Sequence, residues 1–145
     1  MVQVQIAAFH YDSVLYPEIE LGGPPGYDSV DVMLEKIAQH ECYTFVNDDE
    51  IIGGAVIFVK GSGHYHLDLI FIHPQYHGQS IGTGAMRFLE GRYPATKWTL
   101  DTPQWAVRNR HFYEKLGYVI VAEYEDDGFP MVAYEKLLAP EPANE

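Results

Sequence analysis

The stretch that decides the fold covers residues 67–84 and reads LDLIFIHPQYHGQSIGTG. Its first half is an apolar run that predicts a buried strand, which ends before Pro74. Its second half contains Gly78, Gly82 and Gly84, and it predicts a turn that opens a helix. Small residues let a backbone approach a ligand closely, and the first amides of a helix lack internal acceptors, so this turn is a candidate phosphate site. It lacks the Gly-Lys-Ser/Thr of a P-loop and matches the dinucleotide fingerprint poorly.

Outward from this stretch, the hydrophobic periodicity predicts an α/β (α+β) domain with a mixed sheet, without internal repeats. The predicted strands cover residues 2–9, 42–47, 51–60, 64–73, 97–101, 118–125 and 131–137. Helices are predicted over residues 12–21, 29–39 and 106–116, and a further one opens at the bend of residues 78–84 and runs to Arg92. Residues 22–26 are expected to form a loop. One domain is therefore predicted over residues 1–138, with a disordered tail at 139–145.

Two helices have apolar residues at helical spacing. In the helix over 29–39 they are Val30, Leu34 and Ile37, which are predicted to share one face. In the helix that ends at Arg92, the predicted buried stripe consists of Ile81, Ala85, Phe88 and Leu89.

The composition excludes several classes of function. The formal charge of -12 at pH 7 would repel nucleic acid and anionic membrane surfaces, and it would attract a cationic amine, although acidity can also serve solubility alone. No apolar run approaches the ~20 residues that span a bilayer, and the N-terminus lacks the features of a signal peptide. Cys42 is the single cysteine and cannot form an internal disulfide, so the cytoplasm is expected.

Two motifs carry a resemblance to a known family. Residues 72–82, IHPQYHGQSIG, resemble the pyrophosphate-binding segment of the GNAT (GCN5-related N-acetyltransferase) family. His77 stands where that family usually has Arg or Gln, Ser80 replaces the first glycine of the motif, and Gly82 fits. Residues 105–118, WAVRNRHFYEKLGY, look like the GNAT helix that ends in Phe-Tyr-Glu-Lys-Leu-Gly-Phe. The resemblance covers most of the chain and implies the GNAT-like acyl-CoA N-acyltransferase fold.

This resemblance implies an enzyme that transfers an acetyl group from acetyl-CoA to a primary amine, with no metal. Together with the negative charge, it predicts a small cationic molecule or a peptide as the acceptor, and a protein that is a monomer or a homodimer. The amide near Ile72 is expected to meet the oxyanion. The residues expected to bind acetyl-CoA are Phe71, Ile72, His77, Gly78, Gln79, Ser80, Ile81, Gly82, Thr83 and Asn109.

The resemblance also implies Tyr113 as the acid that protonates the leaving thiolate, although this residue would also suit a packed core. For the base, two candidates stay open. His66 and Asp68 share one strand face with His64 by the period of two, and either side chain can take a proton from the amine or hold its charge. A solvated strand end is the alternative. The loop over residues 22–27 is expected to wall the acceptor site, with Tyr16 and Tyr27 as candidate lining residues.

Three other functions fit parts of the sequence. A non-catalytic acetyl-CoA-binding protein of the same fold would explain the departures at His77 and Ser80. A zinc or iron site built from His64, His66 and Asp68 is possible on ligand chemistry. A vicinal-oxygen-chelate metalloenzyme can also carry a Phe-Tyr…Leu-Gly-Phe segment, but it needs two similar modules, and one copy of the segment is found here.

Overall fold

The computed structural model describes residues 1–11 and 27–138. The chain forms two compact units, of which the first contains Met1–Ile57 and Leu69–Leu89, and the second contains Phe58–Asp68 and Glu90–Glu145. The helix predicted over 12–21, the loop over 22–26, Tyr16 and the tail over 139–145 lie outside the described residues. The single domain over 1–138 stays a prediction.

The described elements follow the predicted order, apart from the first. In chain order they are α1 (Val2–His10), α2 (Val30–Gln39), β1 (Glu41–Asn47), β2 (Glu50–Gly61), β3 (His64–Ile72), a 3-10 turn (Pro74–Tyr76), α3 (Ile81–Arg92), β4 (Lys97–Pro103), α4 (Val107–Lys115), β5 (Val119–Asp126) and β6 (Phe129–Leu137).

Within the described ranges, six strands form one mixed sheet in the order β1-β2-β3-β4-β6-β5. The pairs β1–β2, β4–β6 and β5–β6 are antiparallel, whereas β3 and β4 run parallel. The parallel pair matches His64–Leu67 with Lys97–Leu100, so His66 lies opposite Thr99. This arrangement confirms the predicted mixed α/β architecture.

Two hairpin turns follow directly from local sequence. Asp48 and Asp49 have φ angles of 48° and 67°, and Asp127 and Gly128 have φ angles of 51° and 81°. Two successive residues in the left-handed region form the turn whose twist matches that of paired strands, and Asp and Gly tolerate this conformation best. These turns join β1 to β2 and β5 to β6 as antiparallel hairpins.

The opening strand predicted over residues 2–9 is wrong, because Val2–His10 forms a helix. The alternation of Val2, Val4 and Ile6 spans few residues, and Ala7 and Ala8 that follow are strong helix formers. As a helix, the segment puts Gln5 and Phe9 on one face four residues apart. Gln5 is buried, and the Phe9 ring lies 6.4 Å from the Phe71 ring. Tertiary packing has overridden a short alternating pattern.

The predicted buried stripe of α3 is partly wrong. Leu89 is buried as expected, but Met86 is the second buried residue, and Phe88 is 56% exposed. The Phe88 ring lies 6.0 Å from the Tyr43 ring. In α2 the apolar face of Val30, Leu34 and Ile37 is likewise exposed, and the buried residue is Met33. Helical spacing identifies residues that share a face, but it does not say which face is covered.

Among the described strands, β5 lies at one edge of the sheet, and all of its residues are exposed. Its apolar side chains alternate over both faces of the strand, so neither face is covered by the core. The exposed ones are Val119, Ile120, Val121 and Tyr124. Of the helices in the described ranges, none has the length and apolar content that crossing a bilayer requires.

Candidate active site

At the start of α3, the glycine-containing turn of the first unit is followed by backbone amides that have no acceptor inside the helix. The N–H of Gly84 donates to the carbonyl of Ser80 at 3.0 Å, which is the first hydrogen bond of the helical pattern. The amides of Ile81, Gly82 and Thr83 precede it, so they have no acceptor within the helix. Gly78, Gln79 and Ser80 are exposed just before them. Amides of this kind at a helix N-terminus suit phosphate oxygens, and the phosphate site predicted at this turn stays a prediction.

Ser80 has a φ angle of 61°, which lies in the left-handed region. A residue with a Cβ pays about 1–2 kcal/mol in this conformation, whereas glycine adopts it freely. The position where the sequence departs from the family motif is therefore one whose backbone suits glycine. The serine keeps the turn at an energetic cost.

Replacement of Ser80 by glycine is expected to stabilise the protein slightly. The gain from lost strain exceeds the entropy that glycine adds to the unfolded chain, which leaves about 0.5 kcal/mol. Chemical denaturation of Ser80→Gly and wild type measures this difference. A clear loss of stability would mean that the serine hydroxyl makes a contact that outweighs the strain.

His77 supports the end of β3. Its Nε2–H donates to the carbonyl of Ile72 at 2.8 Å, and its ring packs edge-on against Tyr11 at 5.2 Å. The N–H of His73 donates to the carbonyl of Ile52 at 2.7 Å, which fixes the same strand end from β2. The His77 side chain thus holds the backbone near Ile72, where the oxyanion-binding amide is expected.

Gly53 and Gly54 of β2 are essential to this strand end, and neither was predicted from the sequence. A Cβ on Gly53 would lie 2.3 Å from the carbonyl oxygen of Phe71 and 3.2 Å from the Cα of Ile72. A Cβ on Gly54 would lie 2.8 Å from the Phe71 ring and 2.9 Å from the Tyr43 carbonyl. The signal was present as adjacent glycines inside a strand, a pattern that often marks close backbone approach.

Tyr27 contacts aromatic side chains of α1. Its hydroxyl lies 2.5 Å from His10 Nε2, and its ring packs edge-on against Phe9 at 6.0 Å. Burial, followed by the nearby Asp28 carboxylate, raises the pKa of Tyr27. Tyr27 was predicted to line the acceptor pocket, and that role stays a prediction.

Tyr113 is the central aromatic residue of the second unit. It is 9% exposed, and its ring lies 5.2 Å from Phe112, 6.0 Å from Tyr118 and 6.3 Å from Tyr134. Burial raises the pKa of Tyr113 far above its usual range, so the phenol is protonated at neutral pH. Within residues 1–11 and 27–138, its hydroxyl has no hydrogen-bond partner. A protonated phenol in this state is available to donate.

The two tyrosines beside Tyr113 are each fixed by a carboxylate. The Tyr118 hydroxyl donates to Glu90 at 3.1 Å, and Lys136 donates to the same carboxylate at 2.7 Å. The Tyr134 hydroxyl donates to Glu114 at 2.6 Å. Charge-assisted hydrogen bonds of this kind are the stronger ones in proteins, so they hold these rings in place.

Arg110 completes the second of these networks. Its Nε–H donates to the Tyr134 hydroxyl at 3.2 Å, and its terminal N–H donates to the carbonyl of Gln104 at 3.1 Å. None of these network residues was singled out from the sequence. Arg110 and Glu114 are four residues apart on a predicted helix, which was the detectable signal.

The predicted base candidates lie on one face of β3, as the period of two required. His66 Nδ1 lies 2.7 Å from the Thr99 hydroxyl, and its Nε2 lies 3.9 Å from the Asp101 carboxylate. Burial is the largest influence and lowers the pKa of His66; Asp101 and Asp68 raise it, and Lys60 and His64 lower it. The net shift is downward, so the imidazole is neutral at pH 7 and has a lone pair to accept a proton.

Two other predictions concern a metal site and the role of Asn109. Among the described residues, no group of three or more His, Cys, Asp and Glu side chains is arranged to hold a metal ion, so the alternative site at His64, His66 and Asp68 is not supported. Asn109 is half-buried on α4, and its role in binding acetyl-CoA stays a prediction.

The family model of the acetyltransferase (GNAT) family matches residues 11–118, which is most of the chain. The chain belongs to the GNAT family. The match includes both motifs recognised in the sequence, the turn before α3 and the helix that carries Tyr113. It also removes the vicinal-oxygen-chelate alternative.

Among its relatives, this GNAT protein is 38% identical over 87 residues to the uncharacterized protein YrkN of Bacillus subtilis (strain 168). The match covers 58% of this chain and 47% of YrkN, so the chain matches about half the length of that relative.

Solved structures show the same fold. A GNAT family acetyltransferase from Elizabethkingia anophelis, with acetyl-CoA bound, superposes with a TM-score of 0.65 at 17% identity, over 83% of this chain and 95% of that chain. The PaiA N-acetyltransferase from Thermoplasma acidophilum, in complex with coenzyme A, gives a TM-score of 0.70 at 16% identity, over 94% and 92%. At these identities the likeness shows the GNAT fold.

Proposed function

We propose that this protein transfers the acetyl group of acetyl-CoA to a primary amine of a small cationic molecule or peptide. The observation that carries the proposal is Tyr113, a buried and protonated phenol whose hydroxyl is unbonded within the described part of the chain. Membership of the acetyltransferase family and the two related structures that hold acetyl-CoA or coenzyme A support it. The single cysteine fits a reducing compartment, and the cytoplasm is proposed.

Binding of acetyl-CoA is assigned to the turn of the first unit. The free amides of Ile81, Gly82 and Thr83 would bind pyrophosphate oxygens, with support from the dipole of α3. Phe71, Ile72, His77, Gly78, Gln79, Ser80 and Asn109 complete the proposed binding residues. The Ile72 amide is proposed to donate to the oxygen that becomes negative when the thioester carbonyl is attacked.

The chemistry is assigned to the second unit. An alkylammonium has a pKa near ~10 and must lose a proton before its nitrogen attacks. His66 is proposed as the base, because it is neutral and its Nε2 is not within hydrogen-bond distance of Asp101. Asp68 and Asp101 would hold the cationic acceptor beside it. The new C–N bond replaces the C–S bond, and the leaving thiolate takes the phenol proton of Tyr113. The second proton that the acceptor nitrogen loses as it becomes an amide returns to the Tyr113 phenolate.

Thermal unfolding with saturating acetyl-CoA tests the first step. A ligand at about 100 times its dissociation constant adds about 2.7 kcal/mol of stability, which raises the midpoint by several degrees in a domain of this size. ADP and zinc serve as comparison ligands. No shift with acetyl-CoA would contradict the proposal, and a shift with zinc alone would favour the metal alternative.

Release of coenzyme A in the presence of cationic, neutral and acidic primary amines tests the second step. Cationic acceptors are expected to be preferred at low salt, and added salt should weaken this preference because it screens the acidic surface. Turnover of neutral or acidic amines alone would contradict the cationic acceptor. A thermal shift with acetyl-CoA but no coenzyme A release would favour the non-catalytic binding protein, which the departures at Ser80 and His77 also suit.

A further inference from the structure

One hydroxyl links two imidazoles on the polar face of the second unit. Thr99 Oγ1 lies 2.7 Å from His66 Nδ1 and 2.7 Å from His64 Nε2. The parallel register of β3 and β4 produces this arrangement, because it puts Thr99 opposite His66 and Lys97 opposite His64. Side chains two residues apart point to the same face, so both imidazoles reach the same threonine.

The hydroxyl of Thr99 gives the hydrogen bonds between His66, Thr99 and His64 a common direction. A threonine hydroxyl has one proton to donate and lone pairs to accept. When His66 Nδ1–H donates to Thr99, the Thr99 hydroxyl donates to His64 Nε2, and the lone pair of His66 is left on Nε2. When the direction reverses, His66 carries its proton on Nε2. The Thr99 hydroxyl therefore couples the tautomers of the two histidines, and His66 can act as a base at Nε2 in the first of these directions.

We propose that Thr99 and His64 form a proton relay that carries the proton of the acceptor amine from His66 to solvent. This inference rests on the proposed function, in which His66 takes that proton. It gives Thr99 and His64 roles in proton transfer, and neither residue contacts the acetyl group.

The relay conserves every proton. His66 Nε2 accepts a proton from the ammonium of the acceptor, and the N–H bond of the amine breaks. His66 Nδ1 then releases its own proton to Thr99 Oγ1, and the hydroxyl proton of Thr99 passes to His64 Nε2. His64 Nδ1 finally releases a proton to water. The return to the starting tautomers completes the cycle before the next acceptor binds.

The far end of the relay opens to solvent. His64 lines a cleft of about 890 Å³ at one end of the sheet, which provides water as the final proton acceptor. The other lining residues are Lys60, Gly61, Ser62, Thr96, Lys97, Leu137 and Leu138. The two lysines disfavour a lasting positive charge on His64, so a proton that arrives there is passed on.

The charges around both imidazoles fit this direction of transfer. Burial, followed by Lys97 and Lys60, lowers the pKa of His64, and Glu135 raises it. His66 faces Asp101 and Asp68, which favour a transient imidazolium at the position where the amine proton arrives. Thus carboxylates lie at the entry of the relay, and ammonium groups lie at its exit.

Asp101 is itself fixed by a further hydrogen bond. Tyr124 of β5 bonds to the Asp101 carboxylate, and burial followed by this carboxylate raises the pKa of Tyr124. Tyr124 therefore remains a protonated donor that orients Asp101 toward His66. Tyr124 and Asp101 act as positioning residues for the proposed base.

Imidazole NMR tests the relay without any need for turnover. Long-range 1H–15N spectra of the wild-type protein at neutral pH are expected to show His66 and His64 as Nδ1–H tautomers. Thr99→Val removes the hydroxyl and should change the tautomer ratio at both histidines, whereas Thr99→Ser keeps it. If Thr99→Val leaves the tautomer ratios of both histidines unchanged, the two imidazoles are not linked. That result would overturn the network whether or not the protein is an acetyltransferase.

Kinetics test whether the network carries protons. Thr99→Val and His64→Gln are each expected to lower kcat about tenfold in dilute buffer. This is less than the factor of about 10²–10⁴ for a direct acid or base, because water can replace part of the relay, and Thr99→Ser should stay within about threefold of wild type. Added imidazole should restore most of the loss in His64→Gln, because it replaces the missing acceptor. Wild-type rates in both variants, or losses that imidazole leaves unchanged, would overturn the relay. If the wild-type protein binds acetyl-CoA but has no activity, the proposed function fails, and the NMR result stands by itself.

Discussion

Tyr113→Phe is expected to lower kcat about 100-fold, with little change in the free energy of unfolding. A positioned proton donor typically contributes a factor of 10²–10⁴, and this variant removes the donor alone. The phenyl ring keeps its packing against Phe112, Tyr118 and Tyr134. Because the hydroxyl has no hydrogen-bond partner in the described segments, its loss should cost less than about 0.5 kcal/mol. Steady-state kinetics and chemical denaturation measure the two quantities.

Tyr65→Phe is the matched control. Tyr65 also packs among aromatic rings, at 4.8 Å from Tyr93 and 5.6 Å from Trp98, and it lies on the face of β3 opposite His66. This variant loses the same atom elsewhere in the second unit, so kcat should stay within about twofold of wild type. If Tyr113→Phe retains the wild-type rate, the acid is another group or solvent.

Gly53→Ala is expected to lower the free energy of unfolding by about 3 kcal/mol, and the unfolding midpoint by about 10 °C. The new Cβ would stand 2.3 Å from the Phe71 carbonyl oxygen, and neither backbone can yield without disturbing the β2–β3 pairing. The required shift also displaces Ile72, whose amide is proposed to meet the oxyanion. The affinity for acetyl-CoA should therefore fall together with stability.

Gly91→Ala separates this effect from the general consequence of replacing a glycine. Gly91 lies in the last turn of α3, and a Cβ there meets nothing within 4 Å. Alanine is favoured over glycine in a helix by about 1 kcal/mol, so this variant should be somewhat more stable. Equal stability of Gly53→Ala and wild type would show that the two strands are not as close as described.

Local chemistry was sufficient for much of the fold. The turns at Asp48-Asp49 and Asp127-Gly128 follow from residues that accept positive φ, and β3 followed from an apolar run that ends before Pro74. The turn before α3 followed from its glycines. The opening segment failed because Val2, Val4 and Ile6 suit either periodicity, and packing decided between a strand and a helix.

The site residues that were not predicted from the sequence depend on the order of the strands, and local sequence patterns do not contain this information. His66 was found because its spacing from Asp68 lies within one strand. Thr99 and Asp101 were missed because their closeness to His66 comes from the parallel pairing of β3 with β4. For Gly53, the adjacent glycines indicate a close approach, but only the strand order shows that the approaching residue is Phe71 of another strand.

The exposed strand β5 has a consequence for how the protein behaves in solution. A strand at the edge of a sheet with bare valine and isoleucine side chains is a template on which other copies can aggregate. The charge of -12 opposes this, because like-charged copies repel one another. Repulsion disappears near the isoelectric point of about 4.8, and concentrated salt shortens its range. The negative charge of the chain therefore protects its exposed edge strand, β5, against aggregation.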